Sequence, residues 1–400
     1  MVPSEPEPIP WNLGPPTSSS DSPSTSSIPS TLTQLKYVLF SWPNNQLTKK
    51  DPIAQEFFKS KAQMSNFVEE SLGGFPIELW QGRIAGDKPI ELFLSGEQCQ
   101  VFRDGFSEKM GPTRANQTWK REAVHHGSEV KELVKLRFED QAVIEEKFAQ
   151  LKDENDRYET RNHFEALLRS QEIITAVQGM KGEARFCAID FETYEWNHDY
   201  ITEVGFAKST WRKGKFEKMD TRHFVVKENA HRRNGKFCPD ARDHFHFGAS
   251  ETLSTKALVE LLSKELLSPS LPIFLIFHDT RSDLKSLQLL GVSTSTYLNR
   301  SSLPHPDYEP GYKSAGRYIL DTQTLYSGFN RRKKQTKLGD AVQQFGISLS
   351  ESKGEGGYVN GGDLRSFEDD ELKFHNSGND AWATLQVFWK LMGVELQRGD

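Results

Sequence analysis

The C-terminal half of the chain predicts an α/β domain, a mixed sheet with helices on both faces. Two observations carry this. Three strand-like runs at 185–192, 201–209 and 221–227 follow one another as hairpins do. Strand and helix patterns then alternate as far as residue 392. The first run holds the apolar stretch Phe186-Cys187-Ala188-Ile189. A helix is expected at 253–266, introduced by Ser250-Glu251 and Ser254. PIFLIFHD (272–279) reads as a buried strand, followed by a helix over 280–290. YILDT (318–322) is a third short apolar run, and LGDAVQQFGI (338–347) is helical. In the closing helix, 380–392, Ala381, Leu385, Phe388, Trp389 and Met392 form one apolar stripe.

The N-terminal half has a different character. Residues 1–34 are rich in Pro and Ser and predict a disordered tail, plainly solvated or phosphorylated. Residues 35–125 predict a small α+β domain of unassigned role. LKYVLFSW (35–42) is a strand or a buried turn, and 51–72 is helix-like. PIELWQGRI (76–84) and KPIELFL (88–94) predict two strands joined at Ala85-Gly86-Asp87. Residues 126–180 predict a helical connector, one or two long helices over 128–177 capped by Ser128. It is either packed on a neighbour or paired as a coiled coil. The α/β domain then occupies 181–396.

Composition narrows the classes. Only 36% of the 400 residues are hydrophobic, so part of the chain is solvated rather than packed. A net charge of −6 does not announce a nucleic-acid partner; binding would need local basic patches. Three cysteines, far apart, give no disulfide framework and no zinc pattern, which fits a reducing compartment. No apolar run approaches the ~18 residues of a membrane span. The first basic residue is Lys36, which argues against secretory and mitochondrial leaders. Nucleus or cytoplasm is the expected location.

FCAIDFETYEW (186–196) poses the chemical question. Asp190 and Glu192 are one residue apart on a strand, so they share a face, roughly 6.5–7 Å apart. Two like charges at the end of a buried strand repel and lose hydration. Asp283 follows the 272–279 strand, and Asp380 opens the last helix in HNSGNDAWATL. If the four meet, they form an all-oxygen cage suited to two hard divalent cations, Mg²⁺ or Mn²⁺, which clamp a phosphodiester. His375 lies five residues before Asp380, about 140° off its helical face, so it belongs to the entering loop. There it is a natural general base. Each acid alone is a weak signal. Asp279 reads as a helix cap and the acids of FEDDEL (367–372) as a solvated run.

Taken together, FCAIDFET, HDTRSDLKSL and HNSGNDAWATL resemble the three motifs of the DEDDh family of 3′→5′ exonucleases, in the family's order. The resemblance implies a ribonuclease H-like fold over about 184–392, with Asp190, Glu192, Asp283 and Asp380 as metal ligands and His375 as base. NGKFCPDARDHFHFGASE (234–251) is similar to a fungal branch of that family associated with mRNA export. Two departures stand out. GYKSAGRY and SKGEGGYVNGGD are insertions, and Asp279 replaces the usual Asn after the second-motif histidine.

The implied substrate is single-stranded RNA or DNA. Thr193, Arg331, Arg332, Lys333 and Lys334 are candidate contacts, with Tyr326 and Phe329 as stacking rings. HRRNGK (231–236) is a second basic stretch. RRKKQTK is equally a solvated loop or a nuclear import signal. The alternative is a catalytically weak or inactive adaptor in mRNA metabolism, whose partners are processing or export factors rather than a membrane.

Overall fold

The computed structural model describes residues 36–39, 69–70, 73–84, 89–111, 124–126, 130–179, 182–267, 271–294, 317–332, 336–349 and 372–394. The expected tail, most of the helix at 51–72, the 85–87 turn, the insertion SKGEGGYVNGGD, and Lys333 and Lys334 lie outside them, as does FEDDEL up to residue 371; of the insertion GYKSAGRY only Arg317 and Tyr318 are described, and they open a strand rather than a loop. The chain divides into two compact units, Met1–Asp153 and Glu154–Asp400.

The first unit holds an antiparallel five-stranded sheet. Its strands are β1 (Lys36–Leu39), β2 (Ile77–Ile84), β3 (Ile90–Ser95), β4 (Val124–His126) and β5 (Val130–Phe138), ordered β4-β1-β3-β2-β5. Leu79 and Phe93 are buried at its centre. Helix α1 (Gly96–Met110) begins in a capping box: the Gln98 N–H donates to Ser95 Oγ, and the Ser95 N–H donates to Gln98 Oε1. The S-x-x-Q signal was present in the sequence.

Residues 130–138 correct the helical expectation, since they form β5. VKELVKLRF satisfies a helical stripe and, for Val134, Leu136 and Phe138, a two-residue alternation as well. Pairing with β2 selects the second. Glu132, at φ 56°, absorbs the extra residue of a bulge opposite Gly82. The long helix starts later, as α2 (Gln141–Gly179).

The second unit is built on a mixed sheet: β6 (Ala184–Tyr194), β7 (Asn197–Arg212), β8 (Lys215–Phe216), β9 (Asp220–Val226), β10 (Glu251–Leu253), β11 (Ile273–Phe277) and β12 (Arg317–Asp321). The order is β10-β9-β7-β6-β11-β12, with β8 paired to β7. β6, β7 and β9 form the antiparallel meander; β11 and β12 join β6 in parallel. This is the ribonuclease H-like arrangement, with β6 central. The sequence did not suggest β10, whose three residues pair with β9.

Alternation along β6 sorts the core. Phe186 and Ala188 face helices α5 (Thr322–Phe329), α6 (Leu338–Gln344), α7 (Ser377–Met392) and the C-terminal turns of α2. Cys187 and Ile189 face α3 (Thr255–Leu266) and α4 (Thr280–Leu290). On the first face Phe186 stacks on Phe274 at 4.6 Å and Phe274 on Tyr318 at 5.0 Å, while Trp389 closes edge-on over Phe186 at 4.8 Å.

Two glycines let α7 reach the sheet. A Cβ on Gly205 of β7 would lie 1.7 Å from the Ser377 carbonyl oxygen, and one on Gly378 would lie 2.6 Å from the Phe245 ring. Gly205 is the β7 partner of Asp190, so the helix N-terminus settles beside the first acid. Gly205→Ala is expected to cost about 3 kcal/mol or more, since backbone must move. Urea midpoints measure it, and a loss below about 0.5 kcal/mol would contradict this packing.

Candidate active site

Asp190 and Glu192 occupy the last turns of the pleat on β6, on the face shared with Phe186 and Ala188. Asp380 enters from the first turn of α7. One carboxylate oxygen from each of Asp190, Glu192 and Asp380 lies within 4.8 Å of the others. Asp283, in the first turn of α4, is buried and acts on this group electrostatically, but it stands outside that 4.8 Å set.

Burial is the first cause that pushes all four carboxyls well above the ordinary carboxylate range. The second is a neighbouring acid: Asp380 for Asp190, Asp190 for both Glu192 and Asp283, Glu192 for Asp380. Two of their oxygens, Asp283 Oδ2 and Asp380 Oδ1, are buried with no hydrogen-bond partner. Orphaned buried carboxylate oxygens are costly. An all-carboxylate donor set of this kind fits a hard divalent cation.

His375 lies in the loop before α7, as its spacing required. Its backbone N–H donates to Asp380 Oδ2 at 3.0 Å. Its ring is half exposed, with Nδ1 3.9 Å from Glu192 Oε1. The residue holds a left-handed backbone at φ 65°, and Asp279 does so at φ 80°. Each costs on the order of 1 kcal/mol or more for a non-glycine residue. Asp279 stands at the N-cap of α4, yet its side chain makes no capping bond, which corrects the expected role. Its N–H instead points to Asp321 Oδ1 at 3.3 Å.

A buried network beneath the acids escaped the sequence analysis. Glu203 is the cross-strand partner of Glu192. Arg242 Nε donates to Glu203 Oε1 at 3.0 Å, and His223 Nε2 meets Glu203 Oε2 at 2.9 Å. Arg242 also donates to the carbonyls of Ala230 and Arg232. Its positive charge lowers the cost of ionising Glu192, against Glu203 and Asp240, which raise it. The one readable signal was Glu203 itself, an acid inside the apolar run of ITEVGFA.

The 241–246 loop is stapled to α7. Asn376 caps the helix and donates to the carbonyls of Ala241 and Arg242, at 3.1 and 3.0 Å. Asn379 donates to the carbonyls of His244 and Lys373 and accepts from the His246 N–H. Behind the second motif, His278 bridges Thr322 Oγ1 and the Thr336 carbonyl, each at 2.9 Å, and burial holds its pKa below the usual histidine value.

The candidate nucleic-acid contacts are not gathered with the acids in the same way. Thr193 Oγ1 is engaged with His198 Nδ1 at 3.0 Å. Arg331 lies 5.1 Å over the Phe164 ring. Arg332 is exposed and lines a cavity of about 270 Å³ with Asp340 and Gln344. Tyr326 is buried with its hydroxyl on Gln344 Oε1, so it offers no ring for stacking. Phe329 is exposed. Arg233 of HRRNGK is taken up by Asp240 and Asp243.

Residues 185–352 match the DEDDh family described as DNA polymerase III subunit epsilon-like, C-terminal domain. This stretch of the chain is similar to the DEDDh family. The match takes in Asp190, Glu192 and Asp283, while His375 and Asp380 follow it in the chain. The chain is 28% identical over 248 residues to an uncharacterized nucleolar protein of Schizosaccharomyces pombe, covering 61% of this chain and 84% of that one. It is 27% identical over 232 residues to the Saccharomyces cerevisiae protein named good for full DBP5 activity protein 2, covering 53% of this chain. A second Saccharomyces cerevisiae protein, uncharacterized, is 27% identical over 216 residues. The matches span only 36% and 40% of these two budding-yeast relatives. These relatives bear out the fungal branch of the DEDDh family. No helix among the described residues is long and apolar enough to cross a membrane.

Because burial raises these carboxyls, the folded protein binds protons that the unfolded chain releases. Without divalent cations, stability therefore falls as pH rises from the ordinary carboxylate value of about 4 through the raised values. In EDTA the melting temperature should drop from acid toward neutral pH. At pH 7 Mn²⁺ should raise it in the wild type, and Asp190→Asn should raise it without cation while blunting the Mn²⁺ effect. A melting temperature indifferent to both cation and Asp190→Asn would contradict the cage.

Proposed function

We propose that the C-terminal unit, residues 181–396, is a metal-dependent 3′→5′ exonuclease that hydrolyses single-stranded RNA or DNA. The observation that carries this reading is the approach of Asp190, Glu192 and Asp380 carboxylates to within 4.8 Å, with a buried Asp380 oxygen left unbonded. Asp190, Glu192, Asp283 and Asp380 would hold two divalent ions, Mg²⁺ or Mn²⁺. Such ions supply charge for the attacking and leaving oxygens of the phosphodiester.

The protein's own groups do the rest. Asp190 and Glu192 fix the site to the rigid centre of the sheet. The His375 N–H orients Asp380, and the half-exposed His375 ring takes the proton from the attacking water at its free nitrogen. Burial of Asp283 and Asp380 and partial burial of Asp190 and Glu192 strengthen the charge interactions there. Thr193, Arg331, Arg332, Lys333 and Lys334 are proposed to contact the nucleic acid. The product is a nucleoside 5′-monophosphate.

A second reading, a weak or inactive nucleic-acid-binding adaptor in mRNA metabolism or export, draws on Asp283 standing outside the close trio and is compatible with a budding-yeast relative named for full DBP5 activity. Export or processing factors would then be partners. The nucleolar relative favours a nuclear location for either reading.

A 5′-labelled single-stranded RNA and DNA, incubated with the full chain in Mn²⁺, should shorten one nucleotide at a time from the 3′ end. EDTA or Asp190→Ala should abolish the ladder, and His375→Ala should slow it by roughly 10²–10⁴-fold. Undiminished activity in Asp190→Ala would sink the assignment. Tight RNA binding without turnover would favour the adaptor.

A further inference from the structure

Two large rings stand in solvent at the tip of the β6–β7 hairpin, one from the hairpin and one from a neighbouring loop. Trp196 is 56% exposed and Phe237, from the loop after β9, is 67% exposed. They meet edge to face at 5.0 Å. The Lys236 ammonium lies 4.4 Å from the Trp196 centroid and 5.2 Å from that of Phe237. Alongside, the Arg232 guanidinium lies 4.0 Å from the centroid of Tyr200, which is itself exposed. Folding left these rings in water when burial would have been favourable.

The patch is also rigid. The Glu195 carboxylate accepts the backbone N–H groups of Lys236, Phe237 and Cys238, at 3.1, 2.8 and 3.4 Å. Asn234 brackets the same turn: its Oδ1 accepts the Glu195 N–H at 3.0 Å and its Nδ2 donates to the Thr193 carbonyl at 2.9 Å. Both clamps fix the loop to the residues that directly follow Glu192. Trp196 is four residues beyond that acid, at most about 14 Å along the chain. On its other side the loop continues to Asp240 and Arg242, close enough to Glu192 to act on its charge.

We propose that Phe237, Lys236 and Arg232, set against Trp196 and Tyr200, form a platform for the unpaired bases and phosphates of a single-stranded nucleic acid just upstream of the acidic site. The proposal rests on the nucleic-acid reading of that site and adds the surface that holds the strand. Flat exposed rings accept any base face, whereas duplex bases hide theirs. Lys236 and Arg232 supply the charge a phosphate backbone requires. A rigid platform loses little freedom on binding. A protein partner would meet apolar rings crossed by cations, a poorer match than a polyanion with aromatic faces.

Fluorescence anisotropy with 5′-fluorescein oligo-U and oligo-dT, on the full chain in EDTA, tests this apart from catalysis. Trp196→Ala and Phe237→Ala should each weaken binding roughly 5- to 100-fold. Phe237→Trp should restore affinity, and Leu289→Ala, another exposed apolar residue, should change nothing. A duplex of equal length should bind at least tenfold more weakly. Melting curves check folding, and Lys236→Glu offers a second probe at a surface side chain, expected to lower affinity and flatten its salt dependence. No binding, duplex binding as tight as single-strand binding, or affinity indifferent to both rings would overturn the platform; the last would leave the patch to a protein. If the rings hold oligonucleotide that Mn²⁺ never shortens, the platform stands and the exonuclease reading falls. If Mn²⁺-dependent shortening proceeds equally in both alanine variants, the reverse holds.

Discussion

The site depends on how closely the N-terminus of α7 can approach the sheet. Gly205 and Gly378 remove the two side chains that would stand in the way. Helices normally pack against sheets through a layer of side chains. Here backbone meets backbone, and a carboxylate on the first turn of α7 comes within reach of two others on β6. The asparagines at 376 and 379 hold that turn in place by bonding to carbonyls of the 241–246 loop. The motif histidine and aspartate are therefore supported by the unremarked residues between and around them.

Close approach concentrates negative charge, and the fold meets it on two levels. Arg242 and His223 grip Glu203 beneath the site, so one further buried acid is paired rather than added to the repulsion. At the site itself, by contrast, Asp283 Oδ2 and Asp380 Oδ1 are buried with no hydrogen-bond partner. That difference separates a structural carboxylate from candidate ligands more sharply than position in the sequence does. It also shows why removing a single partner of Glu203 would be felt several residues away, at Glu192.

Much of the α/β half was legible because its signals are local. Short apolar runs, Phe186–Ile189 and Ile273–Phe277, gave β6 and β11, and the stripe in 380–392 gave α7. Other features were not local. VKELVKLRF fits two periods, and only the partner strand decides between them. β10 is three residues long and exists through its pairing with β9. Arg242 reads as one more basic residue in a charged loop until folding buries it against Glu203. The left-handed backbones at Asp279 and His375 carry no compositional mark. Tyr326, taken from the sequence as a stacking ring, belongs to the core because α5 turns it inward.

The topology also sets an order of assembly. The β6–β7 hairpin can close from neighbouring residues, whereas Asp380 belongs to a helix nearly two hundred positions later in the chain. During ribosomal synthesis the early hairpin emerges and pairs while α7 has yet to be made. A nascent chain thus displays two of its acids long before the third arrives, and the pocket is completed only once α7 has emerged.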